Sequence, residues 1–420
     1  FQNMKKGLLF AAVLCSFGLL AQQYTHQVLI ANEGFFDFQT NAILEPATIG
    51  SYDPISQTYT VVDTLEGQRF SSDVVIDGNV YFVAADTKIF KYDLNTHQAL
   101  GSISLPGVRN LAVAGNKLVA TRGEYLQTYD SYLSVFDKNT LQLLVAFDTI
   151  QGPKWATQNV VVVNNIAYIA VNNAYEWGNE KGIIGQLNLN TLSYGSEIDL
   201  GPEGKNPDNL FVFNNALYSV NNKDWSGTSV SKIDFNGSVN TQNISNATTG
   251  CGTSALREDK LIYQISLENT LNDYNLLDMS AVGPVAGISM NFYELSFNAI
   301  ENLLYTSTTD FFSQGAVQIF DANNALTHQF NVGVSPGTIV FDIRSSANLL
   351  ESKSNLSIFP NPSNGVFNLN GLDQSTNYTV HNAAGQEILR ANASTLDLNE
   401  FNSGIYFLHY GSTCYKLVKN

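Results

Sequence analysis

A short motif returns seven times along this 420-residue chain, at nearly even spacing. An apolar or aromatic residue is followed by Asp or Asn at Tyr52-Asp53, Tyr92-Asp93, Phe136-Asp137, Leu187-Asn188, Ile233-Asp234, Leu277-Asp278 and Phe320-Asp321. The steps are 40, 44, 51, 46, 44 and 43 residues. A second marker lies upstream in each unit: Val80-Tyr81, Lys117-Leu118, Ala167-Tyr168, Leu217-Tyr218, Ile262-Tyr263 and Leu304-Tyr305, with Val28-Leu29 in the first. A period of this length means an array of one supersecondary unit, each copy burying its apolar face on the next.

The unit reads as four strands. An apolar run such as Val160–Val163 leads into a tight turn, Asp77-Gly78-Asn79, Gly115-Asn116, Asn164-Asn165 or Asn214-Asn215. Such pairs accept the positive φ angles of two-residue hairpins. A second strand, a loop of uneven length and a third strand ending at the Asp motif follow. A turn such as Asn95-Thr96 or Asn139-Thr140 then leads to a fourth strand. Four antiparallel strands per unit is the blade of a propeller. The expectation is an all-β chain with a seven-bladed β-propeller over residues 22–343. The first unit lacks its innermost strand. Ser335–Ile343 supplies it, because Pro336-Gly337-Thr338-Ile339-Val340-Phe341 matches Pro207-Asp208-Asn209-Leu210-Phe211-Val212. The ring therefore closes with one C-terminal and three N-terminal strands, which leaves no open edge. A pair of β-sandwiches would predict neither the period nor the circular offset.

The ends of the chain carry an address. Lys5 and Lys6 precede an apolar run, Gly7–Leu20, that is too short to span a bilayer, and Ala21 follows it. Residues 1–21 read as a signal peptide with a few residues upstream of Met4. Cys15 is not expected to carry lipid, since Leu14 stands where a small residue should be. Cys251 and Cys414 fall in different domains and are not expected to pair. No transmembrane segment follows the leader. A net charge of −16 argues against nucleic-acid binding, which needs a basic patch.

Residues 344–355 break the repeat and read as a linker. Residues 356–420 then show short alternating runs, enough for a small Ig-like β-sandwich of six or seven strands. Phe359-Pro360-Asn361-Pro362, Gly385-Gln386, Ser403-Gly404-Ile405-Tyr406 and Lys416-Leu417-Val418-Lys419 stand in order. This tail resembles a type A sorting domain of the type IX secretion system. The resemblance implies export across an outer membrane to the cell surface of a Bacteroidetes host, with the secretion machinery as partner. The repeats resemble YncE/YVTN-like propellers. The opening Ile30-Ala31-Asn32-Glu33-Gly34-Phe35 with Ser51-Tyr52-Asp53-Pro54 is similar to the start of Bacteroidetes surface propellers of the DUF5074 group.

In a blade, the loops between strands two and three share a face with the blade-to-blade connections. Here those loops are long and uneven, and loops of that kind carry function. They hold Phe35, Phe36, Arg122, Tyr125, Tyr175, Trp177, Trp225 and Phe311, and Trp155 lies in a connection. Asp73, Asn110, Asn159, Asn209, Ser254 and Thr338 stand at the entrance of the innermost strands, with Arg109 beside them. Aromatic walls over an amide-rich floor suit an extracellular small molecule or glycan. A purely structural role, with aromatics packing the loops and amides capping strands, explains the same residues. Catalysis has little support. No metal spacing, nucleophile elbow or phosphate loop occurs, and no cofactor is expected. His97 and His328 map to the opposite face. The loop acids Glu33, Asp37, Glu124, Glu176 and Asp224 leave Ca²⁺ open as an alternative. Binding of a protein or polymer by the same face is another alternative, and a lyase- or lactonase-type enzyme is a third.

Overall fold

The computed structural model describes residues 22–125, 127–249, 253–346, 356–372, 377–410 and 413–420. The leader read in residues 1–21, Cys251 and linker residues 347–355 lie outside them. Two compact units are present, Gln23–Arg344 and a unit containing the C-terminal residues.

The larger unit is a β-propeller; its described residues form six four-stranded sheets and a seventh of five strands, whose outermost position is split between Ser193–Tyr194 and Ile198–Asp199, with Phe35–Asp37 and Ala42–Glu45 as a separate hairpin. Blade two shows the plan: Ser71–Asp77 on the inside, then Val80–Ala85, Lys88–Asp93 and Ala99–Ser104 outermost. The second strand is buried on both faces. Tyr81, Val83 and Ala85 pack toward blade one, and Phe82 and Ala84 toward blade three. Such shared clusters recur between every pair of neighbours, seven in all, including one between blades seven and one. The outer strands are largely exposed, as in Ala99–Ser104.

Ring closure follows the expected offset. Blade one is built from Pro336–Ser346, Gln22–Asn32, Thr48–Asp53 and Thr58–Thr64, in that order from the inside. Hydrogen bonds stitch the seam. The Ser296 hydroxyl donates to the Ile339 carbonyl at 2.7 Å, Ser307 to that of Pro336 at 2.6 Å, and the Glu33 amide to that of Ser335 at 2.8 Å. The closing strand runs on to Ser346, so the linker starts later than its polar composition indicated.

The Asp motif is a turn device. Asp93 Oδ1 accepts from the amides of Asn95 and Thr96 and from the Thr96 hydroxyl. Asp137 repeats this with Asn139 and Thr140, and Asn188 takes the amides of Asn190 and Thr191. Side-chain acceptors that satisfy turn amides explain the Asp/Asn requirement. Blade six corrects the sequence register. Its motif is Tyr274-Asn275, where Asn275 Oδ1 accepts from the amides of Leu277 and Asp278. Leu277 itself is 57% exposed in the turn. His328 is also relocated, from a turn to the outer strand Leu326–Val334, where it stacks on Tyr52 and Phe330. Replacing Asp137 by Ala should lower the melting temperature by a few degrees. Its hydrogen bonds to Thr140 and Asn139 hold its carboxyl below the usual range, so the loss should shrink in acid as that carboxyl protonates.

The C-terminal unit has two sheets. One holds Ser357–Phe359, Val366–Asn370 and Thr395–Asp397, and the other Glu387–Ala391, Tyr378–Asn382, Gly404–Tyr410 and Thr413–Lys419. Phe367, Val380, Leu398, Leu408 and Leu417 form its core. Cys414 is free and exposed.

Candidate functional site

The mouth of the central channel opens into a cavity of about 790 Å³. Its floor is built by one rule. Each blade contributes two consecutive residues from the head of its inner strand or just before it: Ser72-Asp73, Arg109-Asn110, Gln158-Asn159, Asp208-Asn209, Thr253-Ser254, Tyr293-Glu294 and Gly337-Thr338. In blades two to five a β-bulge falls at this pair. A bulge sets two residues against one and re-aims their side chains, so both members can face the channel. Strict alternation would have turned one of each pair away.

Five ring pairs stand over the floor. In each, a half-buried ring meets an exposed one: Phe35 with Phe312 at 5.1 Å, Phe36 with Phe38 at 4.9 Å, Tyr293 with Phe311 at 5.2 Å, Tyr175 with Tyr125 at 4.6 Å and Trp225 with Trp177 at 6.1 Å. The first four meet edge-on, which the ring quadrupoles favour.

The structure brings Phe35, Phe36, Asp73, Arg109, Asn110, Tyr125, Asn159, Tyr175, Asn209, Trp225, Phe311 and Thr338 to the cavity. Three expected residues lie off it. Arg122 turns away to donate to the carbonyls of Pro106 and Ser131, with its guanidinium 3.9 Å from the Tyr129 ring. Trp155 lies between the ammonium groups of Lys154 and Lys181, in a separate groove with Tyr194 and Glu197. Trp177 is 73% exposed on the outer side of Trp225. Phe70, Asp208, Tyr293 and Glu294 line the cavity without having been singled out. Asp208 and Glu294 could have been found by taking both residues of each inner-strand pair.

Several floor residues also tie blades together. Asp73 accepts from the Leu111 amide of blade three at 2.7 Å, and Asn209 donates to Ser254 of blade six at 2.9 Å. Burial pushes the carboxyls up: Glu33 and Asp73 to about 7, Asp208 to about 6, and Glu294 well above its ordinary value. A hydrogen bond from Tyr293 to Glu33 at 2.6 Å acts against the rise. Arg69 is spent on Asp86 and Glu124, both at 2.6 Å. The loop acids do not converge. Asp37 caps Gln39 and Thr40, Glu176 holds Asn173 and Asn179, and Asp224 binds Ser226. Among the described residues no three His, Cys, Asp or Glu are grouped to hold a metal ion.

Residues 357–420 match the secretion system C-terminal sorting domain family. The tail is a sorting domain. It marks the chain as a type IX cargo destined for the cell surface. Among the described residues no helix is long and apolar enough to cross a membrane. No curated protein matches the chain. Solved structures share its fold at low identity. A hypothetical selenium-binding protein from Sulfolobus tokodaii is 9% identical over 76% of this chain and 94% of its own, with a TM-score of 0.58. The extracellular domain assigned to a hybrid two-component system of B. thetaiotaomicron is 14% identical over 93% of this chain and 56% of its own, at 0.52. The dihydro-heme d1 dehydrogenase NirN is 12% identical over 90% and 76%, at 0.51.

Proposed function

We propose that this chain is an exported surface propeller that captures an extracellular small molecule or glycan in its channel-mouth cavity, without converting it. The observation that carries this reading is the crown of ring pairs over a floor of paired polar residues from all seven blades. A cavity of about 790 Å³ lies in the range of small-ligand sites. Apolar ring faces stack on a flat or sugar-like body, and the amides below bond its polar edges. No His, Cys or Lys is among the described residues lining the cavity, whose ionisable groups are carboxyls, arginines and tyrosines. The opening motif Ile30–Phe35 supports kinship with the YncE-like DUF5074 surface propellers.

The test is a thermal-shift screen of the full chain against glycans, corrinoids, haem, siderophores and aromatic acids. A ligand at a hundred times its Kd stabilises by about 2.7 kcal/mol. The expected hit disappears when Trp225 and Tyr175 are both changed to Ala. A hit that survives the double change would place binding elsewhere. Tight binding of a surface protein or polymer alone would favour the adhesion reading.

A further inference from the structure

Five buried side-chain polar atoms without a partner belong to residues that line this cavity: Ser71 Oγ, Arg109 Nε, Asn110 Oδ1, Asn206 Nδ2 and Trp225 Nε1. Three of them are donors only. Asn206 is 1% exposed and Ser71 3%, so bulk water does not serve them. The Asn206 backbone is pinned by Lys181 and Asn222, which leaves its amide fixed with an unmet N–H. An unmet buried donor is costly, and a site full of them selects a ligand rich in acceptors.

Arg109 is the centre of this set. It comes from blade three, yet it feels Tyr175 of blade four, Glu33 of blade one and Asp208 of blade five. Its guanidinium thus reaches beyond its own blade. It lies 5.3 Å from the Tyr175 ring centroid and 5.8 Å from that of Phe70. Arg69 and Arg122 have their donors filled by carboxylates or carbonyls, whereas Arg109 Nε has no acceptor. The nearby carboxyls already have protein donors. Glu33 takes Tyr293, Asp73 the amides of Val74 and Leu111, and Asp208 the Asn222 amide. Arg109 Nε is thus the one cationic donor among the unpartnered floor atoms, and it calls for an acceptor group that a guanidinium can hold.

Resting on the capture reading, we propose that the cavity binds a monoanionic carboxylate with an apolar or aromatic body, its carboxylate seated on Arg109 and its body among the rings. A guanidinium fork matches a carboxylate with two parallel bonds. A doubly charged phosphate would meet four carboxyls around one guanidinium and is disfavoured. Glu33, Asp73, Asp208 and Glu294 shed charge as they take up protons, so an anion is held more tightly on the acid side of neutrality. The other groups facing Arg109 do not oppose this. Tyr175 stays neutral because burial raises its pKa, and Glu124 is paired with Arg69.

Naphthylacetate, naphthylacetamide and naphthylethylamine share one body and differ in the head group. Titration of each into the full chain should rank the acid tightest, by about tenfold over the amide, with the gap widening from about pH 8 to about pH 6. Inorganic phosphate should not compete. Arg109→Gln should bring acid and amide to equal affinity. Should that variant fail to fold, Arg109→Lys should keep part of the preference, since charge remains and the fork is lost. Equal binding of acid and amide by the unaltered chain, or a preference for the amine, overturns the carboxylate assignment. If that binding is still lost with Trp225→Ala and Tyr175→Ala, the capture reading stands. Failure of all three probes to bind overturns the carboxylate assignment, while the capture reading stands or falls on the wider screen.

Discussion

Ile339→Asp should destabilise the propeller by about 4 kcal/mol. Ile339 is 2% exposed in the closing strand and packs in the cluster that joins blade seven to blade one, against Val28, Ile30, Tyr305 and Val317. An aspartate there has no partner within an apolar seam, so it carries both lost burial and an unpaired charge. Its cost is not local. Each blade leans on two neighbours, and a ring opened at the seam exposes two apolar faces and a strand edge. Urea unfolding of the full chain gives the measurement. Val282→Asp is the control, because Val282 is 58% exposed on the outer strand of blade six. That change should stay within about 0.5 kcal/mol. Equal midpoints for the two variants would mean that the seam does not hold the ring.

Stability should fall as pH rises through neutrality, and Glu33→Gln should remove part of that fall. Glu33, Asp73 and Asp208 have pKa values of about 7, 7 and 6, raised above ordinary carboxyl values by burial. Between those ordinary values and the raised ones, the folded chain binds more protons than the unfolded chain. The stability contribution is then complete below about pH 4 and is lost progressively as pH climbs from there through about 7. The exposed turn carboxyls Asp93, Asp137 and Asp310 have lowered values, so they act oppositely and lose stability only in stronger acid. Maximum stability should therefore lie in mild acid. Glutamine at position 33 can still accept from Tyr293, whose hydroxyl bonds Glu33 Oε1 at 2.6 Å. The variant should match the parent near pH 4, pull ahead as pH rises, and exceed it near pH 8 by about 1–3 kcal/mol. Melting temperatures across that range decide it. A variant less stable at every pH would show that the carboxyl stabilises the floor as an ion.

Turn chemistry made the ring legible in sequence, because a strand end that must satisfy two amides demands Asp or Asn. Blade six shows where that reading slips. Tyr274-Asn275 and Leu277-Asp278 carry the same letters three residues apart, and only the turn geometry separates them. Half of the floor was legible for a similar reason. One polar residue per blade stood out at Asp73, Asn110, Asn159 and Asn209, while Gln158 and Asp208 were hidden by the expectation that strands alternate. The bulges break that alternation. Loop position alone did not tell direction, so Arg122, Trp155 and Trp177 were placed on the right face but off the cavity. Orientation depends on partners distant in sequence, such as the Ser131 and Pro106 carbonyls that turn Arg122 outward.

The measurement that bears most directly on the account is calorimetric titration of the best screened ligand into the chain and into Asn159→Trp. Asn159 contributes to the floor from blade four, and an indole there blocks part of the floor. The account predicts one ligand per chain, and at least about a tenfold loss of affinity in the variant. Unchanged affinity in the variant, or several ligands per chain, would contradict it.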